Sequence, residues 1–159
     1  MIHIITGKIN AFKTTTMIEH YEKDQQGDGF VSLKFMHEDK VDHYEIMKLS
    51  TKEKKILMIH QDSPLYLKPE EDHIGPYHLQ KDAINWVKEE IKALIKQKKS
   101  PIYLDEIGQL ELNHQGFHEV LVEMIQSSLD LIIVIRSYLL DDVIKAYQMK
   151  DVMIEEVTH

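Results

Sequence analysis

Apolar runs too short to form helices alternate along this chain with longer stretches of helical period, the pattern of βα units wound around a parallel sheet. Ile2 to Thr6 reads as a buried strand, followed by a glycine-led loop and a helix from about Thr14 to Lys23 with Met17, Ile18 and Tyr21 on one face. Phe30 to Met36, His43 to Leu49 and Lys55 to His60 read as an antiparallel meander that first turns at Glu38-Asp39-Lys40. Leu79 to Lys99 carries the strongest helical stripe, and its closing lysines suit the negative end of the helix dipole. Pro101 opens a short strand, Ile102 to Leu104. A helix around Phe117 to Ser128, a fully apolar strand Leu131 to Ile135, a helix near Leu139 to Tyr147 and a strand Val152 to Val157 follow. Gln61 to Tyr77, with three prolines and the acids Glu70-Glu71-Asp72, reads as a surface loop. The expectation is an α/β three-layer sandwich whose central sheet is mostly parallel and carries an antiparallel hairpin extension. Its 159 residues, 1–159, suit one domain.

Composition narrows the partners. Lys plus Arg is 19 against 27 Asp plus Glu, a formal charge of −8, the wrong sign for holding a phosphate backbone by counterion release. A nucleic-acid partner is therefore not expected. The chain has no cysteine, so neither disulfides nor thiolate zinc sites stabilise it. The opening Met1-Ile2-His3-Ile4-Ile5-Thr6-Gly7 lacks the basic region and apolar length of a secretory signal, and no apolar stretch approaches the roughly 20 residues of a membrane span. The expectation is a cytoplasmic protein with no membrane partner.

The first chemical feature lies between the first strand and the first helix. Gly7-Lys8-Ile9-Asn10-Ala11-Phe12-Lys13-Thr14-Thr15 has Gly7, Lys13 and Thr14 at the spacing G-x-x-x-x-G-K-[ST] of a phosphate loop. In such a loop, backbone amides and the helix N-terminus wrap the phosphates, the lysine neutralises their charge and the hydroxyl ligates Mg²⁺. Phe12 stands where the second glycine is expected. A bulky side chain there is expected to strain a backbone that needs positive φ, by about 1 to 2 kcal/mol. An ordinary strand-to-helix turn with a solvated lysine would give the same spacing.

The second feature is Ile102-Tyr103-Leu104-Asp105-Glu106, an apolar strand ending in two acids, the shape of a Walker B segment. The first acid suits Mg²⁺; the second, at the carboxyl end of a parallel strand, suits the orientation or deprotonation of a water aligned on the γ-phosphate. Strand alternation sends the two carboxylates to opposite faces and separates their roles. Capping of the next turn is the structural alternative. Together with the loop, the pair points to a nucleoside triphosphate. Arg136, just beyond Leu131 to Ile135, suits a charge-stabilising arginine at the same sheet edge, or a surface ion pair.

Other motifs carry less. His114-Gln115-Gly116-Phe117-His118 spaces two histidines four apart, but it lacks the glutamate of a zinc-protease helix and contains a glycine. Lys96-Gln97-Lys98-Lys99 reads as a solvated helix end, and the eight methionines and Trp86 read as core filling.

These residues resemble the small P-loop nucleoside-triphosphatases of thermophilic microbes, also known as the cancer-related nucleoside-triphosphatase family. The resemblance rests on Gly7 to Thr15, on Gly29-Phe30-Val31-Ser32, on Ile74-Gly75-Pro76-Tyr77-His78-Leu79, and above all on Leu104-Asp105-Glu106-Ile107-Gly108-Gln109-Leu110-Glu111. Leu110 replaces the usual methionine of that last signature. The resemblance implies Mg²⁺-dependent hydrolysis of ATP, GTP and other nucleoside triphosphates. It places Gly7, Asn10, Ala11 and Phe12 in the phosphate loop, Lys13 on the β and γ phosphates, Thr14 on Mg²⁺ and Thr15 on the α phosphate. Asp105 then holds the metal through water and Glu106 the attacking water. Two alternatives stay open: a nucleotide-binding or ligand-free regulatory module that has lost turnover through Phe12, and a nucleoside or nucleotide kinase.

Overall fold

The structure, a computed structural model, describes residues 1–9, 11–66 and 73–158. Among the described residues nine strands form one sheet, in the order β5 (His73–Ile74), β6 (Tyr77–Leu79), β4 (Lys54–His60), β3 (Lys40–Lys48), β2 (Asp28–His37), β7 (Ile102–Ile107), β8 (Leu131–Arg136), β1 (Ile2–Gly7) and β9 (Val152–Val157). The parallel half comprises β1, β2, β7, β8 and β9. On β2 is built an antiparallel extension of β3, β4, β6 and β5. The extension is thus longer than a hairpin.

Helices cover both faces because the central strands are apolar on both. In β8, Ile133 and Ile135 join Ile4, Leu104 and Ile102 in one core, whereas Ile132 and Val134 join Ile5, Val31 and Tyr103 in another. This is the two-residue alternation of a strand buried on both sides. Helix α1 (Lys13–Asp24) closes the second core with Met17. The first core is closed by α2 (Lys81–Lys96), through Ala83, Val87, Ile91 and Leu94, by α4 (His118–Gln126) and by α5 (Leu140–Ala146). Each fully buried Ile or Leu contributes about 1.5 to 3 kcal/mol of transfer free energy, and the strands are held by both layers at once.

Several boundaries differ from those the sequence predicts: β7 runs on to Ile107 and β3 starts at Lys40. Leu79 ends β6, buried on the sheet, so α2 begins only at Lys81; it stops at Lys96. Part of the expected loop Gln61 to Tyr77 belongs to the sheet, since His73–Ile74 pairs with Tyr77–Leu79. The acidic trio Glu70-Glu71-Asp72 lies outside the described residues. A short helix, α3 (Gln109–Leu112), follows β7, too short to show a helical period in the sequence. Among the described residues no helix is long and apolar enough to cross a membrane.

Candidate active site

Parallel register brings the candidate site residues to one sheet edge. β8 lies between β1 and β7, with Gly7 paired to Arg136 across β1 and β8, so the loop after β1, the acids of β7 and Arg136 share the carboxyl edge. Open parallel sheets bind ligands outside this edge.

The loop is closed on itself. The amide of Ala11 donates to the Lys8 carbonyl at 3.1 Å, and the Lys13 ammonium donates to the same carbonyl at 2.5 Å. Lys13 is 4% exposed; burial lowers its pKa, opposed by the carboxylate charge of Glu106. Gly7 is required by crowding, because a Cβ there would stand 2.6 Å from the Val157 carbonyl oxygen at the end of β9. Asn10 lies outside the described residues.

The expected strain at Phe12 is absent. Its φ is −82° and its ψ 50°, and the ring is 60% exposed at the N-terminus of α1. The chain satisfies this position without positive φ, so the aromatic residue neither distorts the loop nor anchors it in the core. The Phe12 carbonyl accepts from the Thr16 amide and hydroxyl at 3.0 and 2.7 Å and starts the helix.

Asp105 is fully buried. Its Oδ2 accepts from the Thr14 hydroxyl at 2.7 Å and from the Ser32 amide at 3.0 Å, while Oδ1 has no hydrogen-bond partner among the described residues. Burial first, and the adjacent Glu106 charge second, push its pKa up to about 7. A sequestered carboxylate oxygen without a donor, beside a threonine hydroxyl, is a hard-oxygen set that fits Mg²⁺ completed by phosphates and water.

Simple strand alternation does not separate Asp105 from Glu106. The β7–β8 register slips between Leu104 and Ile107, and Glu106 sits at φ 61°, in the left-handed region. Such a bulge with a strained non-glycine residue re-aims a side chain, at a cost of about 1 to 3 kcal/mol. Glu106 is aimed into the cleft, where its Oε2 lies 3.8 Å from Arg136 Nε.

The cleft between these groups holds about 350 Å³ and is lined by Lys13, Thr14, Thr15, Lys34, Glu106 and Arg136, with Ala11 and Phe12 at the loop side. A second, mainly apolar cleft of about 330 Å³ meets it at Tyr44, Glu106 and Arg136 and extends past Met58, Tyr77 and Leu110. Ser32 lies in the quoted stretch Gly29-Phe30-Val31-Ser32 without a role of its own, and nothing in a meander strand marks Lys34 and Tyr44 as residues that face a distant loop.

Glu111 also lacked an assigned role. It is buried, its Oε1 accepting from the Gly108 amide at 2.8 Å and its Oε2 from the Phe117 amide at 3.0 Å. Its own carbonyl accepts from the Tyr147 hydroxyl at 2.9 Å. Burial raises its pKa to about 7. It therefore ties the segment after the Asp105-Glu106 bulge to α4 and α5, and a Cβ on Gly116 would meet its Oε2 at 2.5 Å. The sequence signal for this role is the position of Glu111 at the end of the signature that starts at Asp105.

The chain is similar to known proteins in sequence and in fold. A nucleoside-triphosphatase THEP1 from Natranaerobius thermophilus is 30% identical over 131 residues, covering 81% of this chain and 71% of that protein. The crystal structure of THEP1 from Aquifex aeolicus superimposes with a TM-score of 0.69 at 18% identity, over 99% of this chain and 90% of that one. The solution structure of a human cancer-related nucleoside triphosphatase gives 0.65 at 16% identity, over 99% and 89%. At those identities the two structures establish the fold, which is shared along nearly the whole chain. The family model for NTPase matches residues 3–159, and this chain belongs to that family.

Proposed function

We propose that residues 1–159 act as one unit that binds a nucleoside triphosphate, ATP or GTP, with Mg²⁺ at this edge and hydrolyses its γ-phosphoryl bond. The observation that carries the reading is the buried Asp105, with Oδ1 unsatisfied and Oδ2 holding Thr14, within reach of Lys13 and Glu106. The N-terminus of α1 and Lys13 take the phosphate charge, Lys13 leaving the Lys8 carbonyl to do so. Thr14 and Asp105 would hold Mg²⁺, which when bound neutralises charge on the β and γ oxygens. Thr15 serves the α phosphate, with Gly7, Asn10, Ala11 and Phe12 forming the loop around it. Glu106 orients and deprotonates the attacking water, and Arg136 stabilises charge on the γ-phosphoryl oxygens. The work is placed in the cytoplasm. Phosphate release from Mg·ATP and Mg·GTP tests this: release that stops with EDTA and is lost in Lys13→Ala supports it. Absence of Mg²⁺-dependent release from the native chain, with nucleotide still bound, would leave the regulatory module in its place.

A second reading, transfer to a hydroxyl instead of water, is favoured by the apolar cleft that opens on Glu106. Hydrolysis yields one inorganic phosphate for each nucleoside diphosphate formed. Transfer leaves a phosphate deficit when a nucleoside is added as acceptor.

A further inference from the structure

Away from the nucleotide edge, β1, α1 and β9 bring two histidines and a glutamate to one point. His3 and Ile5 share a face of β1, and the register Ile5↔Glu155 puts Glu155 on the same face of β9, two residues beyond the His3↔Met153 pair. Met17 packs against Ile5 in the core beneath α1, and His20, three residues on, follows it on that side of the helix. The Nε2 atoms of His3 and His20 each lie 2.8 Å from Glu155 Oε1, and the rings meet edge to face with centroids 5.0 Å apart. One donor atom from each residue lies within 4.8 Å of the other two.

This convergence distinguishes the cluster from the other histidines. His43 also contacts two carboxylates, but Nδ1 meets Asp42 and Nε2 meets Glu45, so its donors diverge. His114 and His118 stack at 4.2 Å, and His118 Nδ1 is engaged by the Tyr147 hydroxyl. Only the first cluster directs two imidazole nitrogens at one carboxylate oxygen among these. The side chains of His3, His20 and Glu155 are 13%, 28% and 37% exposed, held by the fold yet open to solvent on one side.

We propose that His3, His20 and Glu155 form a divalent transition-metal site, with Zn²⁺ the best-suited ion, that clasps the edge strand β9 to β1 and α1. Two imidazoles and one carboxylate are the donor set of three-ligand zinc centres, with water completing the tetrahedron. Nitrogen donors discriminate against Mg²⁺, so the ion of the nucleotide edge does not compete. Both imidazoles bind as neutral ligands through Nε2, which requires the tautomer with the proton on Nδ1. The three ligands come from different elements, so the bound ion links the edge strand to the helix layer. The inference does not depend on the nucleotide reading.

The test uses the full chain freed of metal with a chelator and titrated with ZnCl₂ by calorimetry, with CoCl₂ as an absorbance probe. One Zn²⁺ per chain is expected, together with visible Co²⁺ bands of four- or five-coordinate geometry. At a hundredfold excess over the dissociation constant the melting temperature should rise by roughly 5 to 10 °C. His20→Gln keeps a hydrogen-bond donor to Glu155 but loses the imidazole, and it should weaken Zn²⁺ by about tenfold or more, as should Glu155→Gln. His114→Ala should leave Zn²⁺ binding unchanged. Less than one equivalent of Zn²⁺ bound by the native chain, or native affinity in His20→Gln, overturns the assignment, as does loss of binding in His114→Ala.

Discussion

Asp105 and Glu106 are neighbours in sequence with opposite surroundings. One is sealed beneath the sheet edge with Thr14 and Ser32, and the other is turned by a left-handed backbone into the cleft beside Arg136. Their substitutions should separate accordingly. Glu106→Gln keeps the size and removes the charge, so turnover should fall by about 10²-fold or more while nucleotide binding survives, read by steady-state phosphate release beside a binding titration. Asp105→Asn should instead weaken Mg²⁺-dependent binding by at least about tenfold. Equal loss of binding in both would merge the two roles. Phe12 is the residue most easily misread from sequence, because its position in the motif suggests positive φ that the folded loop does not use. Phe12→Gly therefore relieves no strain and opens no cavity. Stability should change by no more than about 1 kcal/mol and the nucleotide dissociation constant by less than about threefold. A tenfold tightening would restore the strained-loop account.

At the scale of elements, the period of the apolar residues made β1, α1, the meander, α2 and β8 legible, since each buries a regular face or is apolar on both. The two- and three-residue strands β5 and β6 were not legible, because a prolyl loop and a short edge pairing have the same local composition. The bulge at Asp105-Glu106 was not legible either. Register slips arise from how β7 meets β8, and no property of the two acids alone predicts them. Glu111 shows the same gap: its sequence position is conspicuous, yet its role as an acceptor for Gly108 and Phe117 exists only once α3 has turned. Burial raises its pKa to about 7 from an ordinary 4.5, so the folded chain holds a proton that the unfolded chain releases across this window. The contribution of this group to stability is therefore present below about pH 4.5 and lost as pH rises through about 7, by up to about 3 kcal/mol. Glu111→Gln should flatten that part of the profile in denaturant midpoints taken from pH 5 to 8. An unchanged slope in the variant would mean that Glu111 does not titrate there. Because the amide nitrogen of glutamine would oppose one of the two backbone donors, the variant should also be less stable at acid pH by about 1 to 3 kcal/mol.

For the whole molecule, the parallel half of the sheet does the assembling. Placing β8 between β1 and β7 puts Arg136 between the loop after β1 and the acids, and β2 lends Ser32 from the other side. That arrangement was partly readable: Gly7, Lys13, Thr14 and the acid pair carry recognisable spacing. Ser32, Lys34 and Tyr44 become part of the cleft only through the sheet order, which local spacing does not encode. The self-closed loop adds a consequence at this scale. On the proposed function Lys13 exchanges the Lys8 carbonyl for phosphate, so nucleotide binding should reorganise the loop and raise global stability together.

The most direct measurement is the melting temperature of the native chain and of Lys13→Ala, each with and without millimolar Mg·ATP and Mg·GTP. A ligand at a hundred times its dissociation constant stabilises the folded state by about 2.7 kcal/mol, which corresponds to roughly 5 to 10 °C in a chain of this size. The native protein should show that rise, dependent on Mg²⁺, and Lys13→Ala should lose it. No rise in the native protein, or the same rise in the variant, would contradict a nucleotide site at the carboxyl edge.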